Sequence, residues 1–398
     1  MKTLIIFKVF VEALVFLYCL YSNHYAAEYI GSSVSLNFLS LLSILLLTLL
    51  PYFLIFFIVK KFSAPRSLIF FNKNNALFLN FMNNKFIPYF LIILGLLSIV
   101  FCELYDVGKM ARGLYSSPSF LKPLIVLTSR FDITILGLLI IFAYQKRFFA
   151  LLVLSEIVLL NSLRASFSGI YLLFLYLLSR FHSNIYFYLA LFFILLLSVF
   201  NIYDPLISFL YKIRDESRGL ANITQTLGGL DLVFGKFLAR LTSFSATAQL
   251  FERYNDFISE AKFIGFFEYF MNGIQYFWGS FKNVQIPTLQ YHFTKVIDPS
   301  AGYQYSLSPG FIGIFIFSGF KSLWLLMLNL LLFLSFTIGI VYLSSFFIKN
   351  KANIETYSFL IITLDFSGAL AYQSKIFYTL MLLYIFYIIS LKVKKYNL

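Results

Sequence analysis

The sequence predicts an all-α polytopic membrane protein of about ten transmembrane helices, with a helical cap inserted between two of them. Three observations predict it. Hydrophobic residues make up 60% of the 398 residues and charged residues 12%, about half the charge of a water-soluble domain. Apolar runs close to the ~20 residues that cross hydrocarbon recur along the chain, and the alternating segments of a β-barrel do not. One stretch, 202–308, breaks the pattern with nine Lys/Arg and nine Asp/Glu.

In order, the apolar runs are 4–20, 36–59, 88–104, 124–143, 148–163, 167–178 and 185–201, then a span within 311–348, then 354–372 and 376–391. The first run is basic and then apolar like a signal peptide. No small-residue cleavage site follows it, so it is read as a retained helix. Residues 311–320 are too few to cross alone and are read as an outer-leaflet helix feeding the span that starts near Ser322. As part of a broken crossing they would make the count eleven. Lys2 and Lys8 flank the first span. With Lys60, Lys61, Arg66, Lys73, Lys85, Lys146, Arg147, Arg180, Lys349, Lys351, Lys392, Lys394 and Lys395 they fall on one side of a ten-span layout. That side is cytoplasmic by the positive-inside bias, with both termini inside and 202–308 outside. Lys109 and Arg112, in the outer tip 105–120, run against the bias. The net charge of +14 therefore points to topology, not to nucleic acid. The 52 Phe read as core or lipid-facing packing. Cys19 and Cys102 have neither metal-ligand spacing nor a disulfide framework, and a bridge between them stays open.

Within the polar stretch, Asp204-Pro205 marks a helix start. That helix carries Leu206, Phe209, Leu210 and Ile213 on one face and stops near Gly219. A second helix is expected over 231–254, with Val233, Phe237, Leu241 and Phe244 as its stripe and Lys236 and Arg240 on its polar face. The aromatic segment 261–281 reads as a helix lying in the interface, and 284–309 as irregular and Tyr-rich. The chain is one membrane domain with this loop as an outer cap.

The sequence contains no Walker loop, GxGxxG, HExxH or GxSxG, and no DxD-like pair on an outer loop. His24, His182 and His292 lack metal-ligand spacing. Chemistry without a metal or cofactor is therefore expected, on a donor that brings its own activated group, as a polyprenyl diphosphate sugar does. Arginine grips a diphosphate best, through its planar fork and permanent charge. Arg164 sits in an outer tip of a few residues, against the positive-inside tendency. Arg130 lies inside the fourth span with Asp132 two residues on, and Arg214, Arg218 and Arg240 lie on the cap helices. Each of them alone is also readable as a snorkelling or salt-bridged residue. His292, Asp215, Glu216, Glu252 and Asp298 are candidate general bases, each with a structural alternative. Tyr291, Tyr303 and Tyr305 are candidates to stack on sugar rings. Glu156 and Asp365 lie within spans, where hydrogen bonding inside the bundle is the expected role.

The span layout, the large outer loop in the C-terminal half and the segment Leu163-Arg-Ala-Ser-Phe-Ser-Gly169 together resemble the O-antigen polymerases of the Wzy type. Ser306-Leu-Ser-Pro-Gly-Phe-Ile-Gly313 is similar to the Pro-Gly turn that leads those proteins back into the membrane. The arginine turn here reads Leu-Arg-Ala where the family has Ser-Arg-Gly. The resemblance implies a bacterial inner-membrane glycosyltransferase with a layout like that of the GT-C enzymes. It would move a growing glycan from undecaprenyl diphosphate onto a lipid-linked repeat unit at the periplasmic face. Arg164 matches the family's periplasmic arginines best, and the loop arginines match by location. Implied partners are the lipid-linked oligosaccharide, membrane lipid and a chain-length regulator. An O-antigen ligase and a lipid-linked oligosaccharide flippase are the alternatives. A flippase is expected to have 12–14 similar spans and no cap of this length.

Overall fold

The computed structural model describes residues 1–26, 33–63, 86–105, 107, 118–130, 132–144, 147–164, 168–181, 242–264, 289–297, 299, 310–363 and 369–396. Among these residues the chain is helical, with no strand beyond a single bridge between His24 and Ser33. α1 (Lys2–Ser22) ends at Asn23, whose φ of 55° closes the helix in the left-handed region that Asn tolerates. The Asn23 carbonyl then accepts from Val34 N at 2.9 Å, starting the return into α2 (Phe38–Phe62). Asn37 opens α2 by accepting from Ser40 N at 2.9 Å. With α3 (Phe86–Tyr105) and α12 (Leu323–Phe347), these are the four helices among the described residues long and apolar enough to cross a membrane. Shorter apolar helices accompany them, so the chain is a multi-helix protein of membrane-spanning character.

The fourth run is not one helix. It divides into α4 (Lys122–Arg130) and α5 (Ile133–Tyr144). Asp132 makes the break: its Oδ1 accepts from Thr134 N at 2.8 Å and Ile135 N at 3.4 Å, capping a new helix in place of continuing the old one. α6 (Arg147–Leu163) and α7 (Ser168–Phe181) follow as expected. Residues 185–201 lie outside the described residues.

From the polar stretch the structure describes α8 (Phe244–Glu252), α9 (Tyr254–Phe263) and α10 (Leu289–Ile297). The expected amphipathic helix over 231–254 is corrected in its described part. α8 starts only at Phe244 and is buried at every residue from Phe244 to Leu250, so it has no solvated face. It packs against α1, α2 and α11 (Gly310–Lys321) inside the bundle. The chain breaks again at Arg253. The interfacial helix expected over 261–281 also changes, because α9 ends at Phe263 with Ile264 extended. Its remainder from 265, like the helix at Asp204-Pro205, lies outside the described residues.

α11 and α12 meet at Ser322, where the sequence reading starts a span, and pack against each other. Ser322 ends one helix and caps the other, accepting from Leu325 N, and buried Asn329 donates to Ser318 Oγ at 2.6 Å across the pair. The run 354–372 is corrected: α13 (Lys351–Ile362) stops short and α14 begins at Ala369 and continues to Tyr396. α12 is the hub, packed on α2, α11, α13 and α14.

Two ends of the bundle are defined by its contacts. At one, the Met1 amine donates to Thr356 Oγ1 and Asn353 Nδ2 to the Phe142 carbonyl. At the other, Ser35 N donates to Glu252 Oε1 at 2.8 Å, beside the α1–α2 connection.

Candidate functional site

Two charged clusters stand out. The first lies between α9 and α10. His292 Nδ1 is 2.7 Å from Glu260 Oε1, and Lys295 Nζ is 3.7 Å from the same oxygen. His292 and Lys295 are three apart on α10 and so share a face. The helices are locked beside them by the Phe257–Phe293 ring stack at 5.1 Å, and Phe257 is also edge-on to Phe317 of α11 at 5.7 Å. Arg253 Nη1 donates to the Val296 and Ile297 carbonyls, both at 3.2 Å. That places a cation on the negative end of α10. An ionised Glu260 only accepts, so its contact puts the proton on Nδ1 and makes Nε2 the basic nitrogen. Tyr291, a predicted sugar-stacking residue, packs edge-on to the imidazole at 5.5 Å.

The second cluster joins α5, α6 and α14. Lys375 Nζ forms an ion pair with Asp132 Oδ2. The charge of Arg164, at the end of α6, acts on the same carboxylate. Arg164 Nε is buried and has no hydrogen-bond partner among the described residues. Tyr357 fixes the neighbourhood by donating to the Ile135 carbonyl at 3.1 Å. Asp132 stands twelve residues from Tyr144, about 18 Å along the helix, and so lies well inside the bundle. The Asp132 and Lys375 side chains retain 12% and 16% exposure. The sequence reading offered Asp132 as a structural partner for Arg130; the structure pairs Asp132 with Lys375, and the Arg130 side chain lies outside the described residues.

A third buried charge was missed. Glu12, in the middle of α1, is fully buried and accepts from Tyr52 Oη, Ser243 N and Phe244 N at 2.9, 2.9 and 3.2 Å. It caps α8 across 231 residues of sequence, and Lys8, one turn away, is buried at 1% exposure rather than flanking the span. An acidic residue midway along an apolar run was the available signal. Glu156 is buried too, with both carboxyl oxygens lacking a hydrogen-bond partner among the described residues, in place of the bundle hydrogen bonds expected for it.

Of the predicted site residues, His292 and Tyr291 come together on α10, while Arg164 belongs to the Asp132 cluster on other helices. Arg130 ends α4, and its side chain lies outside the described residues. So do Arg214, Arg218, Arg240, Tyr303 and Tyr305, and the acids Asp215, Glu216, Asp298 and Asp365. Glu252 is engaged with Ser35, and burial together with this carboxylate pushes the Tyr25 phenol well up. Cys19 and Cys102 are both buried, and they are not joined in a disulfide. Among the described residues no three His, Cys, Asp or Glu side chains gather as metal ligands. No family model matches the chain, and no curated protein or solved structure matches it either.

Proposed function

We propose that this chain is a membrane glycosyltransferase that polymerises lipid-linked glycan repeat units. It transfers a growing glycan from undecaprenyl diphosphate to the acceptor sugar of a repeat unit, at the periplasmic face of a bacterial inner membrane. The ten-span layout with both termini in the cytoplasm belongs to this reading, as does a chain-length regulator as protein partner. The observation that carries it is the 2.7 Å contact between His292 and Glu260. A histidine oriented by a carboxylate is the arrangement a general base needs.

In the reaction an acceptor hydroxyl oxygen attacks the anomeric carbon of the donor sugar. The hydroxyl proton passes to His292 Nε2. The bond from the anomeric carbon to the diphosphate oxygen breaks, and its electron pair leaves with the diphosphate. Arg164, with Arg214, Arg218 and Arg240, stabilises that growing charge.

The test is a gel of surface polysaccharide from the source bacterium with the gene deleted, then complemented with wild type or His292→Ala. A single repeat unit on the lipid core in place of a ladder is the expected result, with the ladder restored by wild type only. Long chains accumulating on undecaprenyl diphosphate would identify a ligase instead. Single units trapped on the cytoplasmic side would identify a flippase, and an unchanged ladder would sink the glycan reading.

A further inference from the structure

We propose that Glu156 is a proton-binding site inside the bundle, loaded in the packing seen here, and that its proton leaves only when α3 and α6 part at Gly95. Glu156 stands midway along α6, about 10–14 Å of helix from either end. It retains 3% exposure, and neither carboxyl oxygen has a hydrogen-bond partner among the described residues. No ion pair reaches it among those residues either. This sets it apart from Glu12 and Asp132. Glu12 is held by a tyrosine hydroxyl and two backbone N–H groups, and Asp132 by two backbone N–H groups and Lys375.

The niche matches the carboxyl. Gly95 of α3 lies against it: a Cβ there would stand 2.5 Å from Glu156 Oε2 and 3.0 Å from its Cδ, with Ile133 Cδ1 of α5 also at 3.0 Å. The carboxyl therefore rests on bare backbone beside an isoleucine. The described ionisable side chains on α3, α5 and α7, the helices packed against α6, are engaged elsewhere. Tyr89 and Tyr144 pack on Phe149, about two turns away along α6. Cys102 packs with Ile133 and Leu160, Tyr105 on Phe101 and Tyr176 on Phe142. Asp132 is paired with Lys375, and Glu103 and Arg180 are exposed.

A buried carboxylate needs a cation or several donors to replace its water. With neither, and with apolar groups around it, the un-ionised acid is the form that fits. Ionisation would require water at the two oxygens. The α3–α6 seam at Gly95, where no side chain stands between the helices, is the place for it to enter. Proton loss and seam opening are therefore linked. Whatever opens the seam releases the proton, and loss of the proton favours the open seam to the same degree. None of this depends on glycosyl transfer, so the site stands or falls apart from the polymerase reading.

Purified full-length protein in detergent is examined by infrared spectroscopy at neutral pH. Wild type should show the C=O stretch of an un-ionised carboxylic acid that Glu156→Gln lacks, and transfer to heavy water should shift that band down as the proton exchanges. A wild-type spectrum that matches the variant's in this region overturns the proposal. So does a band that heavy water never shifts, which marks a sealed structural group. Gly95→Ala, which presses a methyl group on the carboxyl, should hasten the shift, and a rate that does not rise overturns the seam as the gate. If either variant does not fold, wild type decides by its reaction with dicyclohexylcarbodiimide, an apolar reagent that adds to un-ionised acids. The acid proton passes to one carbodiimide nitrogen and the carboxyl oxygen bonds to the carbodiimide carbon. The acyl group then migrates to nitrogen, and nothing leaves. An adduct mapped to Glu156 by mass spectrometry supports the site, and an unlabelled Glu156 overturns it.

Discussion

At the scale of single residues, His292 and Glu260 divide a task between them. The imidazole receives a proton, and the carboxylate sets which nitrogen can do so. Replacing His292 with Ala should lower polymer formation about 10²–10⁴-fold with protein still present in the membrane. Glu260→Gln should cause a smaller loss, since the amide can still hold Nδ1 in place; both are read by radiolabelled polymer from membranes. Equal losses in the two variants would mean that Glu260 does more than orient. Glu12 works in the fold. Its removal leaves the Ser243 and Phe244 N–H groups without their acceptor in a buried setting, at about 1–3 kcal/mol for each. Glu12→Ala should therefore melt well below wild type in detergent. Tyr52→Phe, which deletes one interhelical donor at 2.9 Å, should cost only about 0.6 kcal/mol.

At the scale of elements, the described helices meet closely at a few points. A Cβ on Gly339 of α12 would come within 2.5 Å of the Phe377 ring of α14, and one on Gly137 of α5 within 2.5 Å of Val153 on α6. Gly339→Ala must push an aromatic ring away from a packed face, which costs about 1–3 kcal/mol. A thermal melt of the detergent-solubilised variant checks this, and an unchanged midpoint would show that the α12–α14 seam is loose. Helix breaks are where element boundaries were least legible. The run 124–143 reads as one apolar span because hydropathy averages over Asp132. The break exists because that carboxylate finds two backbone donors locally and Lys375 across the bundle. The stop near Ser322 was legible, since 311–320 is too short to cross and a serine sits at its end.

At the scale of the whole molecule, the layout predicts opposite sides for the turn at Ser322 and the turn at Lys349, the two ends of α12. In a variant lacking Cys19 and Cys102, Ser322→Cys should react with a membrane-impermeant thiol reagent in intact cells. Lys349→Cys should react only after permeabilisation. The reverse pattern would invert the orientation.

By itself the sequence determined the class of this protein, an all-helical bundle of membrane-spanning character. It also placed most long helices within a few residues and pointed to His292, Tyr291 and Arg164 as residues worth following. These follow from local composition, because the length and polarity of a run are set by adjacent residues. Only the tertiary structure decided which partner each buried ionisable group meets. Glu12 with Ser243, Asp132 with Lys375 and His292 with Glu260 are pairs from different helices. Nothing local encodes them. A buried charge in a helix bundle needs a partner, and which one it finds depends on how the helices pack, not on spacing along the chain.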